Sequence, residues 1–530
     1  MAMDQVGTSG PRTAGVSRLS DGLVIARARV SAHLAAAVDG DGAVRRPCTS
    51  RTLESALLLA LLWRRGGHPQ QVQRLVAHLN RGEAHASGFD GALVQAVLHG
   101  KRADRDVVAD ELLAGFDHFS LVRKRLLFDV YLAAAGAVEF EASMLRPAAR
   151  ASAREDNTVA WVEMVMLSVR VLVAHRLGRA QEVTEGERGR LLELLASSRV
   201  PVWEDYPAAH LLALLAVQEF DPGHPLMDSG VTALLDCLNP DGGVPSISNL
   251  AVFSTGVAGL ALARGNADPA LLHRMGDYLT GRQMPDGGWT FGEDMLHSDV
   301  DDTSYAAAFL ATADPVRHRD ALVRAAGYFR NIVGPDGGYP TYMQGDPSEV
   351  GMTAGAVSAL AWDGAHNADL MANGARWLLD AQHPDGTFER SWSLSEANTI
   401  WRALWALHSL PEPVRTPLKA RIAAATAASE RFLDAAQNTD GGWGYRPGDR
   451  SDIASTCYSL LALSAMGRLA DQDAVVRAGV THLISRQDAD GGFTALPDQV
   501  APRPLLFDAP VFSDIWALLA LSSCNRNWIR

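Results

Sequence analysis

Three carboxylates stand close together in the stretch LHSDVDDTSYAAAFLA, at Asp299, Asp301 and Asp302. The apolar residues that follow have helical spacing, so the acids are predicted to lie at the start of a buried helix. Burial and the repulsion between like charges both raise the pKa of a carboxyl group, and together they can keep one group protonated near neutral pH. The stretch therefore suits general-acid catalysis. A helix cap and an acidic, calcium-like loop are the alternatives.

Short Asp-Gly turns recur through the second half of the chain, about every 45 to 55 residues. Their aspartates are Asp241, Asp286, Asp336, Asp385, Asp440 and Asp490. An aromatic residue closes most of the turns, and a glutamine precedes four of them, at Gln283, Gln382, Gln437 and Gln487. Glycine supplies the positive φ angle that ends a helix, so each repeat predicts a helix–turn–helix unit. Repeats of this length form rings or solenoids. The sequence therefore predicts a closed α/α barrel with a central cavity over residues 231–530.

The rest of the chain is predicted to be helical as well, so the fold class is all-α. Residues 46–230 contain amphipathic helices without Asp-Gly-Gly turns and are predicted to form a second domain. Residues 19–45 carry a helix and an Asp-Gly turn of their own, so we expect them to pack with the C-terminal barrel. Residues 1–18 are predicted to be a disordered tail.

Composition narrows the classes of partner and compartment. The 530 residues carry a formal net charge of −13 without a cluster of Lys and Arg, which argues against nucleic-acid binding. The four cysteines are far apart in sequence, so neither a zinc cage nor a disulfide framework is expected. No apolar run reaches membrane-spanning length, and no apolar signal core is found near residue 1. We expect a cytoplasmic protein, and the sequence leaves its oligomeric state open.

The stretch DVDDTS and the glutamine-to-DGGW turns together resemble class II terpene cyclases, the family of squalene-hopene cyclases and bacterial copalyl diphosphate synthases. The resemblance implies two α/α-barrel domains, a β domain that holds the acid and an inserted γ domain, with the active site between them. It also implies that Asp301 is the general acid and that Asp299 and Asp302 orient it. The metal-cluster motifs of class I terpene synthases are absent from the sequence, so a substrate diphosphate is expected to survive in the product.

Such a cyclase needs aromatic faces for the carbocation and basic residues for the diphosphate. The aromatic candidates are Tyr305, Trp392, Trp401 and Tyr458, whereas Trp289 and Trp443 are assigned to the turns. The basic candidates are Arg390, Arg402, Arg446 and Arg450, with Arg123, Lys124 and Arg125 from the second domain. Core packing is the alternative for each aromatic residue, and a solvated surface is the alternative for each basic one.

Magnesium is the expected cofactor, because it can bridge a diphosphate to carboxylates of the protein. The stretch REDNT resembles the acidic motif associated with magnesium in copalyl diphosphate synthases, which makes Glu155 and Asp156 candidate ligands. The final aspartate of that motif is absent here. His297, His118 and His210 are candidates for the base that ends the reaction, and the sequence does not choose between them.

Geranylgeranyl diphosphate is the favoured substrate and farnesyl diphosphate the second, because the squalene cyclases of the family are longer and carry an apolar membrane-docking patch. The products would be bicyclic diphosphates of the copalyl or drimenyl type, on which a class I terpene synthase or a phosphatase would act next. Squalene-type cyclisation is a further alternative. Outside this class, a zinc-dependent prenyltransferase β-like subunit and a non-catalytic toroid that binds a partner protein remain alternatives.

Overall fold

The Asp-Gly turns share one local structure in the computed structural model, which describes residues 11–114, 120–152, 159–390 and 392–524. The aspartate Oδ1 accepts a hydrogen bond from the amide two residues on, as Asp286 does from Gly288 at 3.0 Å. The glycine between them has a positive φ, 94° at Gly287. A Cβ atom at Gly287 would lie 2.4 Å from the carbonyl oxygen of Arg324. Both the conformation and the space therefore require glycine.

The glutamine before a turn ties it to the following helical hairpin. The side-chain amide of Gln283 donates to the carbonyl oxygens of Gly287 and Ala321, at 2.8 Å each. In the last repeat, Gln487 donates in the same way to its own turn and to the carbonyl oxygen of Ala26 at 2.9 Å. The N-terminal helix thus takes the place of the next hairpin and closes the ring.

The helices occur in two groups along the chain. The first group comprises α1 Pro11–Ala35, α2 Thr52–Arg65, α3 Pro69–Glu83, α4 Gly88–His99, α5 Arg105–Leu112, α6 Leu121–Ala135, α7 Leu145–Ser152, α8 Ala160–Arg176, α9 Glu185–Ala196, α10 Pro207–Phe220 and α11 Pro225–Asp236. The second comprises α12 Ala251–Arg264, α13 Pro269–Gly281, α14 Val300–Ala313, α15 Arg319–Ile332, α16 Val350–Leu360, α17 Ala368–Ala381, α18 Glu396–His408, α19 Glu412–Ala436, α20 Ile453–Ala465, α21 Ala474–Ser485 and α22 Val511–Ser523. Short 3₁₀ helices lie at Ala142–Met144, Ala180–Glu182, Trp203–Asp205 and Ala361–Asp363. Strands β1 Gln499–Val500 and β2 Leu506–Phe507 form one small antiparallel ladder.

Two rings of inner helices, each with an outer layer, form the two domains. In the C-terminal ring α12, α14, α16, α18, α20 and α22 pack in this order, and α22 returns to α12. Helices α13, α15, α17, α19, α21 and α1 cover them, so α1 packs with this barrel. In the inserted domain α2, α4, α6, α8 and α10 form the ring, covered by α3, α5, α7, α9 and α11. The prediction of an all-α fold with two α/α barrels is confirmed.

The hydrophobic cores follow the same division. One core joins buried residues of α1 to the C-terminal barrel, and the other spans the inserted domain. Core membership changes between Val244 and Ile247, whereas the predicted boundary at residues 230 and 231 falls inside α11, whose Val231 packs in the inserted core. Helix α1 begins at Pro11, a residue suited to the first turn of a helix, so residues 11–18 are helical where a disordered tail was predicted. Within the described ranges, no helix has both the length and the apolar character needed to cross a bilayer.

Candidate active site

Two side chains hold the start of α14. Asp299 caps the helix, and Thr303 links the helix to the preceding turn. The Oδ1 atom of Asp299 accepts a hydrogen bond from the amide of Asp302 at 2.9 Å. The hydroxyl of Thr303 accepts a hydrogen bond from the amide of Trp289 at 2.9 Å. Trp289 itself is buried and donates from Nε1 to a backbone carbonyl at 2.7 Å, in agreement with its assignment to the turn. The carboxylate motif is thus anchored to the aromatic end of an Asp-Gly turn.

The same arrangement recurs at the start of α20. The comparison shows which features of α14 the fold repeats and which are particular to α14. There Asp452 caps the helix at 2.8 Å, and Thr456 accepts from the amide at the end of its turn at 3.1 Å. Where α14 has Asp301 and Asp302, α20 has an alanine and a serine. Asp299 therefore has an architectural role that the fold repeats, and Asp301 and Asp302 distinguish α14.

Asp299 and Asp302 form a buried carboxyl pair. They are 4% and 5% exposed, and their side chains are hydrogen-bonded to each other. Burial, followed by the charge of Asp299, raises the pKa of Asp302 well above its ordinary value. Burial raises the pKa of Asp299 as well. Both shifts favour the protonated form of this pair.

Asp301 has a cationic partner that the sequence did not predict. The Nη2 atom of Arg402 forms a close ion pair with Oδ1 of Asp301, and the guanidinium carbon lies 5.2 Å from the ring centre of Tyr305. The Arg402 side chain is 9% exposed and that of Asp301 is 21% exposed, so Asp301 is the least buried carboxyl of the motif. The burial expected for Asp301 thus applies to Asp302 instead. Arg402, predicted to bind diphosphate, is placed against Asp301 by this pairing.

A cavity of about 250 Å³ lies between the two domains. Loops ahead of the inner helices contribute Phe291, Tyr342 and Trp392 to its lining, and the inserted domain contributes Trp161 and Tyr206. Neighbouring rings form a chain from Tyr206 through Trp161 and Tyr342 to Trp392, with centroid distances of 6.3, 6.0 and 6.3 Å. Aromatic faces around an apolar space stabilise positive charge that develops in a substrate. This cavity therefore suits a carbocation.

The start of α14 borders this cavity through the backbone. The amide of Val300, the residue before Asp301, donates to the carbonyl oxygen of Thr341 at 3.0 Å, and Thr341 lies in the lining. The charges of Asp299 and Asp302 also raise the pKa of Tyr342, after the larger effect of burial. The carboxylate motif and the cavity are thus neighbours.

Three basic residues collect at the lining of this cavity: Arg123, Lys124 and Arg503. Lys124 is only 7% exposed. Its pKa lies well below the ordinary value, first because of burial and then because of Arg503 and Arg123. Arg503 pairs with Glu349 at 2.8 Å and lies 4.5 Å from the ring centre of Trp392. Lys124 is the buried member of the three, and the neighbouring cations make its charge unfavourable until an anion joins them, so this cluster is the candidate diphosphate site.

The other predicted aromatic residues lie inside the C-terminal barrel. Trp401 stacks on Tyr458 with a centroid distance of 5.7 Å and an interplanar angle of 11°. Tyr305, Trp401 and Arg402 line a second cavity of about 230 Å³, which shares no lining residue with the first. Of the four aromatic candidates, Trp392 therefore lines the cavity between the domains, Tyr305 and Trp401 line the barrel cavity, and Tyr458 is fully buried beside them.

Several predicted basic residues are not brought to the cavity between the domains. Arg446 and Arg450 are exposed in the loop before α20, where water solvates their charges. Arg390 donates to the carbonyl oxygen of Leu394 at 3.3 Å. Arg125 is paired with acidic residues on the surface of the inserted domain. Glu155, Asp156 and His118 lie outside the described residues.

Sequence reasoning missed part of the lining, and a local signal exists for some of it. Phe291, Tyr342 and Trp392 each lie within four residues after the aromatic residue that closes an Asp-Gly turn. Because every such loop leads into an inner helix, these positions converge on one end of the barrel. No comparable pattern marks Arg503 or Glu204, which also line the cavity.

Comparisons with known proteins agree with this architecture and site. Residues 270–526 match the family described as the squalene-hopene cyclase C-terminal domain. The drimenyl diphosphate synthase of Streptomyces showdoensis is 39% identical over 515 residues, which cover 94% of this chain and 94% of that protein. The drimenyl diphosphate synthase of Streptantibioticus cattleyicolor is 39% identical over 511 residues, with 94% of each chain covered. The structure of ent-copalyl diphosphate synthase from Streptomyces platensis matches with a TM-score of 0.56 and 17% identity, over 97% of this chain and 100% of that one. This last likeness supports the fold.

The two-barrel helical fold and the relatives that cover nearly the whole chain together define the class of this enzyme. The chain belongs to the class II terpene cyclases. The prediction of this class is confirmed, and it replaces the alternatives of a zinc-dependent prenyltransferase subunit and a non-catalytic toroid.

Proposed function

We propose that the chain cyclises farnesyl diphosphate to a bicyclic diphosphate of the drimenyl type and leaves the diphosphate in place. The observation that carries this proposal is the similarity, over nearly the whole chain, to two proteins named drimenyl diphosphate synthase. The cavity between the domains, at about 250 Å³, lies just below the usual range of ligand pockets, which begins at about 300 Å³. Its size also favours farnesyl over geranylgeranyl diphosphate, which the sequence alone favoured.

The diphosphate would rest against Arg123, Lys124 and Arg503. An anion there offsets the repulsion of the two arginines on the buried Lys124, and each hydrogen bond to a charged group contributes about 1.5–3 kcal/mol. Magnesium is part of the proposal, because this ion needs only one or two carboxylates when phosphates supply its other ligands. Asp346 belongs to the same lining, and its charge acts on Arg123, so its carboxylate is suited to share the ion. Glu155 and Asp156 remain predicted ligands.

Asp301 would donate a proton to the terminal double bond of the prenyl chain. The electron pair of that bond forms the new C–H bond and leaves a tertiary cation, which two further double bonds attack in turn to close two rings. Loss of a proton from a carbon next to the final cation restores a double bond, so the overall change is an isomerisation. For Asp301 to carry the proton, its pair with Arg402 has to loosen when the substrate binds. The Asp299 and Asp302 pair would keep the neighbouring charge low.

Two further parts of the proposal concern the enzyme that acts on the product and the compartment in which the protein works. Because the diphosphate is retained, a class I terpene synthase or a phosphatase would act on the product. We assign the protein to the cytoplasm, since its four cysteines are free thiols and three of them are buried.

The substrate is tested by incubating the protein with farnesyl diphosphate, geranylgeranyl diphosphate or squalene in the presence of magnesium. Phosphatase treatment and gas chromatography with mass spectrometry then identify the alcohols. We expect a bicyclic alcohol from farnesyl diphosphate with the highest kcat/KM. Geranylgeranyl diphosphate is the second candidate, because the sequence alone favoured it. A higher kcat/KM for geranylgeranyl diphosphate would overturn the proposed substrate.

The acid is tested with Asp301→Asn, which keeps the shape of the side chain and removes its acidity. We expect kcat to fall by at least about 10²–10⁴-fold, the usual contribution of a general acid, and the thermal midpoint to fall as well, because the buried Arg402 loses its charged partner; kcat is therefore compared on protein shown to be folded. The matched control is Asp452→Asn, because Asp452 is a buried carboxyl at the start of another inner helix, with a pKa that burial raises to about 7, and lines neither cavity. Turnover of Asp301→Asn at the rate of the control would reject Asp301 as the acid.

A further inference from the structure

Two consecutive residues other than glycine, Glu204 and Asp205, have left-handed backbone conformations with φ of 50° each. They lie in the 3₁₀ turn ahead of α10, at the side of the inserted domain that meets the C-terminal barrel. This conformation costs such a residue about 1–2 kcal/mol. It persists only where the surroundings enforce it, and it is concentrated at functional sites. The side chains of this loop are therefore candidates for a role in the reaction.

The loop is fixed on both sides of Glu204. Trp203 is fully buried, its Nε1 donates to a backbone carbonyl at 2.7 Å, and its amide donates to Nδ1 of His210 at 3.1 Å. On the other side, the hydroxyl of Ser248 in the C-terminal half donates to Oδ1 of Asp205 at 2.8 Å. These contacts hold the backbone of Glu204 in its strained conformation and fix the direction of its side chain.

Glu204 presents a buried carboxyl to the cavity between the domains. Glu204 is 6% exposed, and its Oε2 accepts a hydrogen bond from the amide of Leu296 at 3.1 Å. Oε1 is also buried and has no hydrogen-bond partner in the described part of the chain. Burial raises the pKa of Glu204 to about 7, although the Leu296 amide and Arg199 act in the opposite direction. A group with such a pKa can both take up and release a proton at neutral pH.

The histidines considered from the sequence are already engaged. Nε2 of His297 accepts a hydrogen bond from the amide of Ala160 at 3.2 Å, so the neutral ring carries its proton on Nδ1 and offers no lone pair to the cavity. Nδ1 of His210 accepts from the amide of Trp203, and burial lowers the pKa of His210 to about 4. His210 therefore supports the loop that carries Glu204.

Glu204 and the cation cluster occupy different parts of the same cavity lining. The charged groups that act on Lys124 include Arg503 and Arg123, whereas the charged group that acts on Glu204 is Arg199. A prenyl chain whose diphosphate rests against Lys124 would lie along this lining, to which Glu204 also belongs.

We propose that Glu204 is the base that ends the cyclisation, an inference that rests on the proposed function. A C–H bond next to the final cation breaks, its electron pair forms the new C=C bond, and the proton passes to Oε1 of Glu204. The carboxylate becomes a carboxylic acid, which returns the proton to solvent before the next turnover. One proton enters from Asp301 and one leaves to Glu204, so the reaction remains an isomerisation.

The test compares Glu204→Gln with Asp205→Asn in the full chain, using the prenyl diphosphate that the wild type converts. Asp205 matches Glu204 in its strained backbone, its 6% exposure and a pKa that burial raises to about 7, but it does not line the cavity. Without the base, water is left to quench the final cation. We expect Glu204→Gln to raise the ratio of hydroxylated to olefinic bicyclic product at least tenfold and to lower kcat. Asp205→Asn retains the Oδ1 atom that accepts from Ser248, so it should keep Glu204 in place and give the wild-type ratio.

Three other outcomes would contradict either the assignment of Glu204 as the base or the proposed function of the chain. A wild-type ratio and kcat in folded Glu204→Gln would overturn the inference. So would a variant that needs more magnesium but gives the wild-type ratio, because Glu204 would then act on the metal or the head group. A wild type that converts no prenyl diphosphate would overturn the proposed function itself, so the two failures are distinguishable.

A pH series on the wild type decides the question if Glu204→Gln does not fold. The groups that face Glu204 are Asp205 on its own loop, Arg199, the amide of Leu296 and His297 on the same lining. Because protonated Glu204 cannot accept a proton, the olefinic fraction should fall as the pH drops below about 7. Asp205→Asn should show the same profile. A product ratio that stays constant between about pH 8 and pH 5.5 would overturn the inference.

Discussion

Replacing Lys124 by methionine tests whether the buried cation cluster binds the diphosphate. Lys124 is 7% exposed, and the charged groups that act on it are Arg503, Arg123 and Arg51, all cations. Methionine fills a similar volume without a charge. The substitution therefore removes an unfavourable buried charge from the free protein and removes a favourable contact from the complex. Opposite effects on stability and on binding are the expected signature.

The magnitudes follow from these two contributions. The loss of one hydrogen bond between charged groups weakens binding by about 1.5–3 kcal/mol, which raises KM by about 10- to 150-fold. Removal of the buried charge should stabilise the folded chain by about 1–3 kcal/mol at neutral pH. KM is measured by steady-state kinetics with the converted prenyl diphosphate, and stability is measured by thermal unfolding without substrate.

The pH dependence of stability provides a further check on Lys124→Met. The folded-state pKa of Lys124 lies well below the ordinary value of 10.5, so the unfolded chain binds more protons between these two values. Stability of the wild type therefore rises with pH across that window. The advantage of Lys124→Met should be largest below the window and should vanish as the pH approaches about 10.5.

Arg125→Gln is the control for the same helix. Arg125 is paired with Asp106 and Asp110 on the surface and does not line the cavity between the domains. Its loss should leave KM unchanged and should reduce stability by less than about 1 kcal/mol. A Lys124→Met variant that is less stable than the wild type and has an unchanged KM would refute the assignment of Lys124 to the diphosphate site.

Two further predictions concern closure of the ring and the aromatic lining. Gln487→Ala removes two hydrogen bonds, one of them to Ala26 of α1, and should cost about 1–3 kcal/mol in thermal unfolding without changing the products. Protection of α1 from proteolysis should fall in parallel, and an unchanged cleavage rate would contradict this closure. Trp392→Leu removes an aromatic face from the cavity and the ring beside Arg503. It should lower kcat by about 2- to 30-fold, from about 0.5–2 kcal/mol of lost cation stabilisation, and products and rates equal to the wild type would contradict that role.

The sequence predicted the repeated architecture because its signals are local. A turn that needs a positive φ selects glycine, and Asp286 or Asp440 caps the turn within two residues of itself. Gln283 and its counterparts reach the carbonyl of their own turn four residues away. Interactions over such short spans give the repeats a common local sequence pattern, so the pattern is visible without a structure. The carboxylate motif was visible for the same reason, because its members are neighbours in the chain.

The composition of the site depends instead on contacts between distant residues. Arg402 lies 101 positions after Asp301 and meets it only because α14 and α18 face the same barrel interior. Glu204 meets Leu296 across 92 positions and across the boundary between the domains. A helical repeat shows which face of α18 points inward, but it does not give the height or the direction of a guanidinium within the barrel.

The amino-acid sequence by itself therefore determined the helical repeats, the turns that end them and the place of the carboxylate motif at the start of α14. The tertiary structure decided which carboxyl is paired with a cation, which basic residues gather at the cavity between the domains, and which glutamate faces that cavity. The physical reason is that burial and electrostatic interaction depend on distance in space, and ring closure brings together side chains that the order of the sequence keeps far apart.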